Sequence, residues 1–239
     1  MIPSNDILAK HLSGMVKFPT ISNADDEKMD LAPFAGLHQY LEETYPLVHQ
    51  KFTREVIGPA ALLHKWACPA PKKPPLLLAA HQDVVPPGPE DAWTHPPFQG
   101  VIADGFLWGR GCLDCKNVMM GQLEALEALI GEGFQPDFDI YLAYGCNEEV
   151  SITAKNPAAR LIVQTLAARG IRIGVVLDEG GRVIPGPSIG VEGLAADIGL
   201  SEKGYADIQI SKTGPAGHSA RPGKPNLMAD IARAVVKLD

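Results

Sequence analysis

The sequence predicts an α/β fold: a mixed, largely parallel sheet with helices on both faces, followed by the start of a smaller α+β unit. Three observations predict it. Short apolar runs such as "LLLAAH" (76–81), "DFDIYLAYG" (137–145) and "RIGVVLD" (172–178) alternate with segments whose apolar residues recur at helical spacing. A 46% hydrophobic composition with 24 Gly and 21 Pro supplies a real core cut by many turns. Polar, chemistry-bearing residues collect where the predicted strands end, as ligand-binding residues do in open α/β sheets.

The elements follow in order. Ile7, Leu8, Leu12, Met15 and Val16 predict a first helix, capped by Ser4 or Asn5 and stopped at Pro19. A second helix is expected from about Asp30 to Tyr45. "KFTREVI" and "ALLHKWA" read as strands around Gly58 and Pro59, and "LLLAAH" as a buried strand ending on His81. After a Pro-rich loop (86–100), "VIADGFLWG" signals a hairpin at Asp104-Gly105. The clearest helix runs from Asn117 to Ile130. Then come the strand at 137–145, a helix from about Pro157 to Ala168 and the strand at 172–178. Near residue 200 the pattern changes: "KGYADIQISKTG" (203–214) alternates in period two, and "NLMADIARAVVKL" (226–238) reads as a helix. The expected domains are therefore 1–199 and an incomplete 200–239.

Composition narrows the partners. A net charge of −7, with no basic block, argues against nucleic acid. No stretch approaches the ~18 apolar residues of a membrane span, and the N-terminus lacks a leader-like apolar core, so a cytoplasmic location is expected. Cys68, Cys112, Cys115 and Cys146 do not read as a disulfide framework in a chain of 239 residues.

His81 and Asp83 follow one predicted strand, Glu148 and Glu149 a second, and Asp178 with Glu179 a third, while Asp114 opens the long helix. Each alone has a plain explanation: a structural histidine, a solvated acidic turn, a helix cap. Together, one imidazole and several carboxylates make a ligand set for a borderline metal such as zinc, and shared carboxylates suit a pair of ions.

"HQDVVP" (81–86), "GRGCLDCK" (109–116), "GCNEEV" (145–150), "VLDEGG" (176–181) and "GPAGHSARP" (214–222), in that order, resemble the M20 metallopeptidases, nearest to their carboxypeptidase S and aminoacylase-like branch. The resemblance implies a zinc-exopeptidase-like fold with two divalent ions; zinc is the leading candidate, and cobalt or manganese would accept the same ligands. It implies His81 and Asp178 as ligands of the first ion, Asp114 as the bridge and Glu149 as a ligand of the second. Glu148 is then the general base, Asp83 the carboxylate that orients His81, and His218 a lid-domain histidine that helps bind substrate, often across a dimer. A cis peptide is implied after Asp114, where Cys115 stands in place of the commoner methionine or acid. The implied substrates are small peptides or N-acyl amino acids with a free carboxylate.

Two other readings stand beside this one. Cys112 and Cys115 form a C-x-x-C, which could be a redox pair or half a zinc knuckle, although Cys68 and Cys146 offer no second pair. No histidine follows His218, so the second ion lacks its last expected ligand here. A fragment with little activity is expected, or else an inactive relic that serves as a binding or dimerisation module.

Overall fold

Side chains alternate faces along a strand, and the central strands here use that alternation to build two cores. The computed structural model describes residues 3–201, 204, 206, 208–214 and 226–237. The chain divides into two compact units, Met1–Gly180 and Gly181–Asp239.

In the first unit, α1 (Asn5–Val16) starts after Ser4 and stops ahead of Pro19, as its sequence dictates. α2 (Ala32–Thr44) carries Pro33 in its first turn, and a short α3 (Pro46–Lys51) also begins on proline. A proline there loses nothing, because the first-turn N–H groups have no intrahelical partner. β1 (Thr53–Ile57) and β2 (Ala61–Trp66) follow, then β3 (Leu76–His81). β4 (Val101–Ala103) and β5 (Phe106–Trp108) form the expected hairpin. Both turn residues have positive φ, Asp104 at 55° and Gly105 at 79°, the twist a two-residue hairpin needs. α4 (Lys116–Gly131), β6 (Ile140–Gly145), α5 (Ala158–Ala168) and β7 (Val175–Leu177) complete the unit.

The main sheet has the order β1-β2-β6-β3-β7. Leu62, Trp66, Leu78, Ala80, Leu142 and Tyr144 face α1, α3 and α4 through Met15, Val48, Met119 and Leu123. The alternate residues Leu63, Leu77, Tyr141 and Ala143 face α5 through Ala158, Ile162 and Leu166. Helices thus cover both faces.

The expectation of a largely parallel sheet is corrected. Among the described strands, β1–β2, β2–β6, β4–β5 and β8–β9 (Arg182–Pro185 with Leu194–Asp197) pair antiparallel, and only β3–β6 and β3–β7 pair parallel, with one isolated parallel bridge between Ile21 and Val84 outside them. The reason is connection length. Three residues between β1 and β2 allow only an antiparallel hairpin, and β2 then joins β6 antiparallel. Parallel pairing needs a crossover, which α4 provides between β3 and β6, and α5 provides on the way to β7.

The second unit contains the β8–β9 hairpin and α6 (Leu227–Val236), capped by Asn226, whose side chain accepts the Ala229 N–H at 3.1 Å. The described residues of 203–214 form no strand. His218 lies outside the described residues.

Candidate metal centre

The parallel trio β6-β3-β7 is the part of the sheet that builds a site. Its three carboxyl ends deliver His81, the Glu148–Glu149 pair and Glu179 to one place, while the turn leading into α4 delivers Asp114 and Cys115. On the other side of β6 lie β2, which is mostly buried core, and β1, the exposed edge strand.

His81 is 1% exposed. Its Nδ1 lies 2.9 Å from the backbone carbonyl of Asp83, to which that nitrogen donates, and Nε2 faces the acids. Nε2 is 2.9 Å from an Asp114 oxygen, 3.5 Å from Glu179 and 4.0 Å from Glu148. Asp83 is wholly buried, with one oxygen 3.5 Å from Nδ1. Its two carboxylate oxygens accept the backbone N–H groups of Glu148 and Glu149, each at 3.1 Å. The expected orienting contact to His81 thus comes at shortest range from the Asp83 carbonyl, while the carboxylate holds the glutamate turn.

The turn itself is a short 3-10 segment, Glu148–Val150. Burial raises the pKa of Glu148 first, and the Glu179, Asp83 and Glu149 carboxylates add to this against the pull of His81. Burial likewise raises Glu149, with Asp114 the next cause. Burial alone would lower the His81 pKa, but its bonds to Asp83 and Cys115 and their charges outweigh that and push it up to about 12. Burial leads both glutamate shifts, and an excess of negative charge around a single imidazole adds to them.

A divalent cation fits that excess. His81, Asp114, Cys115 and Glu179 each offer a ligand atom, and these atoms all lie within 4.8 Å of one another. Asp114 and Glu179 are thereby brought to His81, and Glu148 stands at its edge. Glu149 and Asp178 fall outside the four-donor group. Asp178 instead accepts the Glu179 N–H at 2.9 Å. The sequence reading placed the first-ion ligand at Asp178, yet the neighbouring Glu179 faces His81; adjacent acids at a strand end point to opposite sides, and composition cannot say which points inward. Cys115 entered the sequence reading only through the C-x-x-C, as half of a zinc knuckle, and not as a donor beside His81 and Asp114.

The supporting shell is stiff. The Asp114–Cys115 peptide is cis, as the resemblance implied. Lys116 is fully buried, and its ammonium donates to the carbonyls of Met15 at 3.2 Å and Phe18 at 2.7 Å, tying the end of α1 to the start of α4. Burial pulls its pKa down to about 7. Between the two site residues of "HQD", Gln82 points the other way. Its amide donates to Ala60 and Tyr144 carbonyls at 3.0 and 2.9 Å, and its Oε1 lies 2.6 Å from His38 Nε2.

Comparison with known proteins places this arrangement. The sequence profile described as peptidase family M20/M25/M40 matches residues 77–238. The chain is 36% identical over 236 residues to the Dictyostelium discoideum protein named "Probable carboxypeptidase S-like 2", covering 97% of this chain and 45% of that protein. It is 33% identical over 234 residues to an N-fatty-acyl-amino acid synthase/hydrolase of Xenopus tropicalis, again 97% of this chain and 45% of the relative. The chain thus spans less than half the length of these curated relatives. Its fold resembles the crystal structure of an M20 family metallo-carboxypeptidase from Sulfolobus solfataricus, with a TM-score of 0.59, 22% identity and coverage of 76% of this chain and 40% of that one. The profile spans well over half of the residues and takes in His81, Asp114, both glutamates and Glu179, so the chain belongs to peptidase family M20/M25/M40.

Proposed function

We propose that this chain carries the water-activating half of a metal-dependent hydrolase that cleaves peptide or N-acyl amino-acid amide bonds beside a free carboxylate. The observation that carries the reading is the position of Glu148. Its carboxylate stands 4.0 Å from His81 Nε2 and is 54% exposed, so it borders the metal ligands without being used up by them. Its backbone, by contrast, is pinned by Asp83. That is what a proton carrier needs: a fixed base on a free side chain.

Divalent ions bound here would acidify the attacking water and polarise the amide carbonyl. Glu148 takes the proton from that water and delivers it to the leaving amine nitrogen. His81 and Asp114 would hold the first ion, with Glu179, 3.5 Å from the imidazole, as the further acid in place of Asp178. The Asp114 charge adds to burial in raising the pKa of Glu149, and these two acids would share the second ion. His218 would contact substrate, and a homodimer through the lid unit would bring it across. The matched relatives, named for carboxypeptidase and N-fatty-acyl-amino acid chemistry, support this substrate class.

The test is Glu148→Gln, assayed with zinc on N-acyl amino acids and dipeptides. Turnover should fall at least ~100-fold, the usual worth of a positioned base, with metal content unchanged. Undiminished turnover in the variant overturns the assignment.

A further inference from the structure

The C-x-x-C does not act as a pair: Cys115 is 1% exposed at the floor of the site, while Cys112 is only partly buried and stands outside the donor group. We propose that Cys115 is a sulfur ligand of the first metal ion, making the protein's share of the centre a mixed N, O, O, S set to which the attacking water adds as a fifth ligand. The inference rests on the metal-centre reading above and deepens it.

Three observations support the sulfur as a donor. Its Sγ is one of four ligand atoms within 4.8 Å of one another, on four different side chains. Tetrahedral zinc takes sulfur at ~2.3 Å and nitrogen or oxygen at ~2.0–2.2 Å, which puts donors roughly 3.3–3.7 Å apart, so only about 1 Å of closure is needed. The sulfur also receives the His81 backbone N–H at 3.1 Å. Such N–H···S bonds stabilise negative charge on a metal-bound sulfur. Finally, a Glu179 carboxylate oxygen belongs to the same group of donors, so the two candidate ligands already converge. The competing role, a cysteine that merely packs against Ala80, Met119 and Tyr144, accounts for its burial but not for its place among the donors.

On binding, the Sγ–H bond breaks as the Sγ–metal bond forms, and the proton leaves to solvent, since a coordinating thiol is deprotonated outright. A thiolate also biases selection. Softer zinc and cobalt gain from it, whereas manganese and magnesium prefer all-oxygen sets.

Cobalt(II) absorption tests this on the intact chain. Visible ligand-field bands report that cobalt is bound, and an intense near-ultraviolet sulfur-to-cobalt charge-transfer band reports a thiolate ligand. We expect both in the wild type. Cys115→Ser and Cys115→Ala should keep the visible bands, lose the near-ultraviolet band and bind cobalt at least ~10-fold more weakly; Cys112→Ser should keep everything. Bound cobalt without the charge-transfer band in the wild type overturns the sulfur ligand and leaves the metal centre standing. A band that survives both Cys115 variants also overturns it. Failure of the wild type to bind cobalt at all overturns the metal centre and this proposal together.

Discussion

Asp83 grips Glu148 by its backbone: Oδ1 accepts the Glu148 N–H at 3.1 Å, and Oδ2 accepts that of Glu149 at the same distance. One buried carboxylate therefore fixes two neighbouring acids whose own side chains stay available. Asp83→Asn presents an amide NH2 where one N–H must be received, so one of the two bonds is lost. We expect stability to fall by ~1–3 kcal/mol and metal affinity to fall ~10–100-fold. Chelator competition and urea titration of the same variant measure both; unchanged affinity would show that the turn holds its place without Asp83.

Gly111 has φ at +85°, and a Cβ there would come 2.7 Å from Val84 Cγ1. Its carbonyl accepts the Lys116 N–H at 3.1 Å, closing the turn that carries Asp114 and Cys115. Gly111→Ala is expected to lose ~1–3 kcal/mol from backbone strain and to weaken metal binding as Asp114 shifts. Thermal melts with and without zinc separate the two effects, and equal melts for variant and wild type in both conditions would contradict it.

His64 gives the clearest pH dependence away from the metal ligands. It lies on β2, is 1% exposed, and neither ring nitrogen is hydrogen-bonded. Burial lowers its pKa, helped by the charges of His49 on α3, Arg54 on β1 and His38 on α2, to about 3. The Tyr144 ring of β6 packs against it as well. The unfolded chain, with an ordinary pKa near 6.5, binds the proton first as pH falls. Stability is therefore fully present above about pH 6.5 and declines below it, by up to ~1.4 kcal/mol per pH unit. In His64→Phe that slope should flatten, as read from denaturant midpoints between roughly pH 6.5 and 4. Parallel slopes for the two proteins would mean that His64 is not the linked group.

Surface ion pairs supply a contrast in size. Arg169 binds Glu55 through two bonds of 2.7 Å, yet both side chains are more than two-fifths exposed. Glu55→Gln is expected to change stability by less than ~1 kcal/mol, well under the Asp83 effect in the same denaturation assay.

Much of this was legible in the sequence because it is local. The helix expected over Asn117–Ile130 runs from Lys116 to Gly131, and that expected near 157–168 runs from Ala158 to Ala168, since apolar periodicity and flanking breakers define both. The Asp104-Gly105 hairpin was legible for the same reason. Strand direction was not, because an apolar run such as "ALLHKWA" carries no sign of which neighbour it will join; only the short β1–β2 connection and the partnership with β6 decide it. At the site, motif order singled out His81 and Asp114, whose side chains lie 2.9 Å apart. The choice between Asp178 and Glu179 turns on side-chain direction at one peptide, which residue type does not encode.

Gln82 has a consequence of another kind. It sits between His81 and Asp83 and bonds to Ala60, Tyr144 and His38 on the core side. Alternation is thus the device that keeps the proposed metal ligand His81 and a core amide apart, and it depends on the count of residues rather than on their kinds. Conservative changes at Leu76, Leu77 or Leu78 leave His81 where it is. Deleting a single codon within β3 would turn Gln82 toward the acids and bury the imidazole in apolar packing, so in this strand the loss of three nucleotides does more harm than many substitutions.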